Sequence, residues 1–253
     1  MDISVCIKEV PDVDAPFSVQ DGELAFDTDR VVLNAYDASA VEAALVLTEE
    51  HGGNVEVVTV GPPGVTETIR KALAMGADRA VHLTTDDPGA YDARAYADVL
   101  AGYYADSDAD AIFCGKQSQD TDAGLTGPML AALLDRPYAA NVVGIEVEDG
   151  GLVVERQGDA GSEIIALDPP CLVTCSNDMN NPRIPKLKGI MAAKKKPVDE
   201  HPAAEFGGAA TTATTVVGYE PVPEREPGTM LEGETGEMVE ELVQRLDGEA
   251  NVL

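Results

Sequence analysis

Residues 115–128 read GKQSQDTDAGLTGP, a composition suited to holding an anion. The stretch lies between an apolar run of strand length, AIFCG, and a helical pattern, LTGPMLAALL. A glycine-rich turn that opens a helix offers free backbone N–H groups to a negative charge. Gly124 and Gly127 would let the backbone approach a phosphate, and Thr126 could add a hydroxyl. The same residues also read as an ordinary polar loop in which Asp120 and Asp122 act as caps, and two carboxylates oppose a phosphate unless they point away. A second group is Asn34, Ala35, Tyr36 and Asp37, just ahead of another helical pattern. Either Asn34 and Asp37 shape a turn and cap the helix, or the group reads the edge of an adenine ring with Tyr36 stacked on an aromatic neighbour. Spacing does not choose between these readings.

A third stretch, NNPRIPKLKGIMAAKKK, holds Arg183, Lys186, Lys188, Lys194, Lys195 and Lys196, six of only 17 basic residues in the chain. Two prolines stiffen it, and Leu187, flanked by lysines, stands exposed with no core in reach. An apolar anchor amid charge has the form of a docking loop; the alternative is a solvated basic face. No bond-making constellation accompanies these groups. His51, His82 and His201 are far apart and lack metal-ligand spacing, and Cys171 with Cys175 has no partner pair. P-loop, nucleophile elbow and dinucleotide fingerprint are all missing.

Elements of α/β type must position these groups. Strands are predicted over Ile3 to Val10, Val55 to Val60, Ala80 to Thr84 and Ala111 to Cys114, alternating with helical patterns. That is the signature of a parallel sheet with helices on both faces. One pattern, DASAVEAALVLTEEHG, opens on an Asp placed as a cap and closes on Gly52. After Asn141 the chain becomes β-rich and is broken by Asp-Gly-Gly and Gly-Asp-Ala-Gly turns, so an antiparallel hairpin extends the sheet. Beyond Asn177 periodicity is lost until a short amphipathic helix at Glu237 to Leu246. The expected division is an α/β domain over 1–196, including a loop at about 177–196, and an extended arm over 197–253. An arm with so little core of its own must lie on something, another chain being one candidate.

Charge is the extreme bulk property: 46 acidic residues against 17 basic leave a net −29 in 253 residues. Such self-repulsion calls for screening, and in molar salt the Debye length falls to about 3 Å. A halophilic cytoplasm is therefore expected. The acids are scattered rather than massed, which argues against a nucleic-acid mimic, and their sign disfavours direct nucleic-acid binding. The N-terminal residues have no basic region followed by a long apolar run, so the expected location is cytoplasmic. Three of four cysteines sit in apolar runs, as inert thiols do.

NAYDASAVEAAL, ETIRKALAMGADRA, GKQSQD, VVER followed by PPCLVTC, and NPRIPKLKGIMAAKKK, in this order, resemble the beta subunit of electron-transfer flavoproteins. The likeness runs from near the first strand to the terminal helix and is weakest over Ala203 to Thr215. It implies an adenine-nucleotide alpha-hydrolase-like sheet and a heterodimer whose alpha subunit carries the redox-active FAD on a mobile domain. By the same resemblance a nucleotide pocket would be lined by Cys6, Asn34, Ala35, Tyr36, Asp37, Val60, Gly115, Gln117, Asp120, Asp122, Ala123, Gly124, Leu125, Thr126 and Gly127. Tyr36 falls where an aromatic approaches the flavin cleft. Leu187 falls at the tip of a loop that recognises dehydrogenases, with Arg183, Lys188, Ile190 and Met191 around it, and the arm would wrap the alpha subunit.

The nucleotide would be FAD or AMP. Val10 to Asp12, Asp37 and the Gly127-Pro128 pair look like members with a second, beta-subunit FAD, while Thr126 looks like the AMP-holding group; the balance leans to FAD. The resemblance implies an electron carrier rather than a substrate-transforming enzyme, passing electrons from dehydrogenases to a membrane quinone oxidoreductase or another acceptor, with or without bifurcation. The rival reading is a stand-alone adenine-nucleotide-binding module of universal-stress type, which leaves residues 177–253 without a role.

Overall fold

The computed structural model describes residues 1–27, 29–207, 211–223 and 227–249. The apolar runs become strands β1 (Ile3–Cys6), β6 (Val55–Gly61), β7 (Arg79–Thr84) and β8 (Ala111–Gly115), with β12 (Cys171–Cys175) beside β8. Their side chains alternate between two cores, so both sheet faces must be covered. Val57 and Phe113 enter one core with Val41 and Leu45 of α1 (Ala35–His51) and Ile69 and Leu73 of α2 (Thr66–Met75). Val58 and Ile112 enter the other with Val99 and Tyr104 of α3 (Ala93–Tyr104) and Leu130 of α4 (Thr126–Leu133).

With β9 (Tyr138–Glu148), β10 (Gly151–Gly158), β11 (Gly161–Leu167) and β13 (Val198–Pro202), the sheet runs β11-β10-β9-β12-β8-β1-β6-β7-β13. Strands from β9 to β13 in this order are parallel, and β10 and β11 extend them as the antiparallel hairpin read from the turn residues. Asp149 and Gly150 both take positive φ in the tight β9–β10 turn, as the twist of a two-residue hairpin loop requires.

The structure departs from the sequence reading in three places. The single strand expected over Ile3 to Val10 breaks after Cys6; β2 (Glu9–Pro11) leaves the main sheet to pair with β5 (Val31–Leu33). Between them lies a small hairpin, β3 (Phe17–Gln20) and β4 (Glu23–Phe26), turning on Asp21-Gly22. The third departure concerns the end of the domain. Lys196 donates to the carbonyls of Leu73, Gly76 and Ala77, terminating α2, and β13, which the sequence places in the arm, adds to the sheet edge beside β7. The first compact unit accordingly continues through Gly218, and a second comprises Tyr219 onward. That second unit contains α6 (Thr235–Gly248), which starts two residues before the expected Glu237 and is closed at its N-terminus by a Glu234–Glu237 capping box. Among the described residues no helix is long and apolar enough to cross a membrane.

Candidate functional site

After β1 the chain builds β6 and β7 on one side, then returns to lay β8 on the other side of β1. The carboxyl ends of β1 and β8 therefore feed loops that part in opposite directions, and open α/β sheets place ligands in that crevice. A cavity of about 690 Å³ lies there. Its floor is apolar, from Cys6, Val58, Val60, Leu100 and Cys114, and its rim is polar, from Lys8, Lys116, Gln117 and Thr126. Tyr91 and Tyr96, with ring centroids 5.3 Å apart, form an aromatic wall from the start of α3.

Asp37 holds the crevice together. One carboxylate oxygen accepts from the Lys8 backbone N–H at 2.7 Å, beyond β1, and the other from the Gly115 N–H at 3.0 Å, at the end of β8. Burial pushes its carboxyl up to about 7, with the hydrogen bonds from Asn34, Lys8 and Gly115 pulling the other way. Gly115 is required for this approach, because a β-carbon there would sit 2.3 Å from Asp37 Oδ1. Asn34 precedes α1, but its side chain does not cap the helix. Its amide donates to the Gln117 carbonyl at 2.8 Å and accepts from the Gln119 N–H, fastening the 115–125 loop to the head of α1. The capping expected of Asn34 and Asp37 is thus replaced by cross-links to groups far along the chain. Ala35 and Tyr36 are not in the cavity wall; Tyr36 accepts from Gln117 Nε2 through its hydroxyl.

The two carboxylates that opposed a phosphate are both engaged. Asp120 pairs with Lys8 Nζ at 2.7 Å, and Asp122 accepts from Gln117 Nε2 at 2.8 Å. Neither lines the cavity, whereas Ala123, Gly124, Leu125, Thr126 and Gly127 do. Gly127 faces inward: a β-carbon there would meet Thr174 Cγ2 at 2.6 Å, so this glycine lets α4 pack on the sheet. Two helix N-termini open on the cavity and differ in kind. Asp92 caps α3 by accepting from the Ala95 N–H, whereas α4 begins after Leu125 with no side chain capping it. Pro128 carries no N–H, so the donors of that first turn are those of Thr126 and Gly127.

Cys6 is fixed from below by a buried chain of hydrogen bonds. Its sulfur lies 3.4 Å from the Tyr104 hydroxyl, which is 2.8 Å from Ser4 Oγ; Ser4 in turn donates to Glu56 Oε1 at 3.0 Å. Arg79 closes the chain on the other carboxylate oxygen of Glu56 at 2.7 Å.

The description "Electron transfer flavoprotein domain" matches residues 23–206. The chain belongs to the electron-transfer flavoprotein family. It is 34% identical over the full length of both chains to the electron transfer flavoprotein subunit beta of Bacillus subtilis, and 37% identical, again over all of both, to that of Bradyrhizobium diazoefficiens. It is also 35% identical, over 97% of this chain and 98% of the relative, to a subunit of the caffeyl-CoA reductase–Etf complex of Acetobacterium woodii.

In this member of the electron-transfer flavoprotein family the basic stretch becomes a pinned loop. Arg183 reaches back to Glu42 and Glu49 of α1, so its charge is spent within the chain. Arg70 donates to the carbonyls of Ala193 and Lys196 at the far end. Between the anchors lies α5 (Leu187–Ala193), set close to α2; a β-carbon on Gly189 would meet the Ala74 carbonyl oxygen at 2.6 Å. Leu187 is 76% exposed, and Ile184, Ile190 and Met191 are also exposed beside Lys186 and Lys188.

Sequence reasoning missed Lys8, Tyr91, Asp92, Tyr96 and the 212–216 segment as parts of the cavity. Asp92 alone had a legible local signal, as an acid heading a helical pattern.

Proposed function

We propose that the cavity beside β1 and β8 holds an adenine nucleotide, FAD or AMP, and that the chain serves as the beta subunit of an electron-transfer flavoprotein heterodimer. The observation that carries this reading is the uncapped N-terminus of α4 opening on a cavity with an apolar floor. The N–H groups at the head of α4 and the Thr126 hydroxyl would hold phosphate, with Lys8 and Lys116 offsetting its charge. Val58, Val60 and Leu100 would take the flat face of the base, with Tyr91 and Tyr96 beside it. Asp37 and Asn34 would act through the loops they fasten. A flavin, where bound, supplies the redox chemistry, and the chain's own part is placement, exclusion of water and electrostatics.

Val10 and Asp37, which look like the FAD-holding members, are engaged in the scaffold: Val10 pairs with Val32 and Asp37 bridges β1 and β8. The lean to FAD thus rests on the resemblance rather than on a ring contact. The second unit offers α6 with Val239, Leu242 and Val243 exposed and no buried residue of its own, which suits docking on an alpha subunit. The Leu187 loop would be presented to redox partner dehydrogenases, with a membrane quinone oxidoreductase further along the electron path. The work would be done in a salt-rich cytoplasm.

The deciding experiment is to co-express the chain with an alpha subunit, purify the complex in molar salt, release the nucleotides and quantify them. Two FAD per heterodimer place a flavin in this chain; one FAD with one AMP makes the bound nucleotide structural. A complex without nucleotide beyond the alpha-subunit FAD would overturn the reading.

A further inference from the structure

The cavity has a wall that comes from much later in the chain. Thr212, Thr214, Thr215 and Val216 line it, although the bonds that tie this segment to Ala90 and Asp92 span 121 or 122 residues. This segment belongs to no helix or strand and has almost no buried side chain of its own. Apolar packing therefore does not explain its position, and its backbone must be held by bonds.

Those bonds converge on the head of α3. Asp92 divides its two oxygens between two tasks. Oδ1 accepts from the Ala95 N–H at 3.0 Å and caps the helix. Oδ2 takes three donors from the late segment: the Ala213 N–H at 2.8 Å, the Thr214 N–H at 2.9 Å and the Thr214 hydroxyl at 3.0 Å. Two residues before Asp92, the Ala90 carbonyl accepts from the Thr212 hydroxyl at 2.7 Å. A carboxylate that only capped a helix would leave its second oxygen to water, whereas this one is saturated by a strap. Hydrogen bonds from Ala95, Ala213 and Thr214 hold the Asp92 carboxyl down at about 2, so it stays ionised through any working pH.

We infer that Asp92 is a latch: it holds the 212–216 strap across the mouth of the cavity, and the strap governs how fast a bound nucleotide leaves. This rests on the nucleotide reading above. Asp92 is a positioning residue here, acting on the ligand through the strap. Because the strap is one wall of the pocket and is tied by polar bonds, its opening frees the ligand while the other walls stay in place, so it bears on release more than on the strength of the contacts beneath it. A ligand's escape waits for the strap to open, and each charge-assisted bond to Asp92 makes opening rarer.

The two tasks of Asp92 separate by substitution. Serine caps helices well through its single oxygen but has no second one for the strap, so Asp92→Ser keeps α3 and removes the latch. Thr214→Val removes one donor from the other side without touching α3. The test loads the full-length chain, in molar salt, with radiolabelled AMP and in parallel with FAD, then follows loss of each on dilution into unlabelled ligand. Backbone hydrogen exchange at Ala213 and Thr214 is read on the same samples. Expected are release at least about tenfold faster in Asp92→Ser, a smaller rise in Thr214→Val, capture faster by a similar factor so that affinity changes little, and loss of amide protection confined to the strap. Loss of that protection with unchanged release would show that the strap gates nothing and overturn the inference while leaving the nucleotide reading intact. Retained protection in Asp92→Ser would overturn the latch itself. If the wild-type chain captured neither AMP nor FAD, the nucleotide reading would fall, and the strap's role with it.

Discussion

Asp37 is a buried carboxylate whose two oxygens are both aimed at backbone N–H groups, one beyond β1 and one at the end of β8. Replacing it by asparagine would turn an NH₂ toward one of those donors. A buried donor left without an acceptor costs about 1–3 kcal/mol, so Asp37→Asn should lower stability by that order, measured by urea unfolding in molar salt. The same group makes stability depend on pH. Its folded pKa of about 7 lies above the 3.8 of an unperturbed Asp. The stability it contributes is full below the unfolded value and is lost as pH rises through the folded one. Wild type should weaken between about pH 4 and about pH 7 by more than Asp37→Asn does, with no further difference above that; equal slopes would show that Asp37 does not titrate there. Asn34 and Asp37 were legible as unusual residues ahead of a helix, but not as cross-links. The partner of Asp37 at Gly115 is 78 residues away, and no local spacing encodes such a bond. Asp92 divides in the same way: its cap is local and readable, its latch is not.

Elements were readable where they bury a face. β6, β7 and β8 and the helices between them follow the apolar periodicity because each packs against a core. β13 was invisible for the converse reason: VDEHP sits at the sheet edge with most side chains exposed, so its pairing with β7 leaves no pattern in the sequence. The β3–β4 hairpin had a usable signal in Asp21-Gly22, a dipeptide suited to a two-residue turn. The composition of the basic stretch suggested a docking loop, but not how its residues divide between anchoring and exposure. Arg183 and Lys196 hold the loop down, leaving Leu187, Lys188, Ile190 and Met191 outward. A prediction belongs to this element. A few residues that become buried on binding carry most of the energy of an interface, so if Leu187 is such an anchor, Leu187→Ala should raise the half-saturating concentration of a partner dehydrogenase roughly tenfold. Nucleotide content should not change, since Leu187 is not in the cavity wall. Unchanged transfer kinetics would remove the docking role.

Across the whole molecule, 46 acidic groups face 17 basic ones, so most carboxylates have no cation to pair with even if every Lys and Arg were used. Several cations are already committed inside the fold, among them Lys196 on the end of α2 and Arg183 on α1. Repulsion among the rest is a property of the folded surface, because unfolding moves these charges apart. At 0.1 M salt the Debye length is about 10 Å, enough for neighbouring surface acids to repel; at 1 M it is about 3 Å and they largely cease to. Dialysis from molar to 0.1 M KCl should therefore lower the urea midpoint sharply or unfold the chain, followed by circular dichroism. The second unit should respond first, since α6 carries Glu237, Glu240, Glu241 and Asp247 against Arg245 alone and has no buried residue to hold it. Two explanations of salt stabilisation then separate. If screening is the cause, KCl and NaCl at equal ionic strength should restore the fold equally and most of the effect should be complete by about 1 M. If excluded-salt strengthening of apolar burial is the cause, sulfate should exceed chloride at equal ionic strength and the gain should continue to rise. A chain that kept its full spectrum and midpoint at 0.1 M would show that its acids are far enough apart to be harmless, and would remove the argument for a salt-rich cytoplasm.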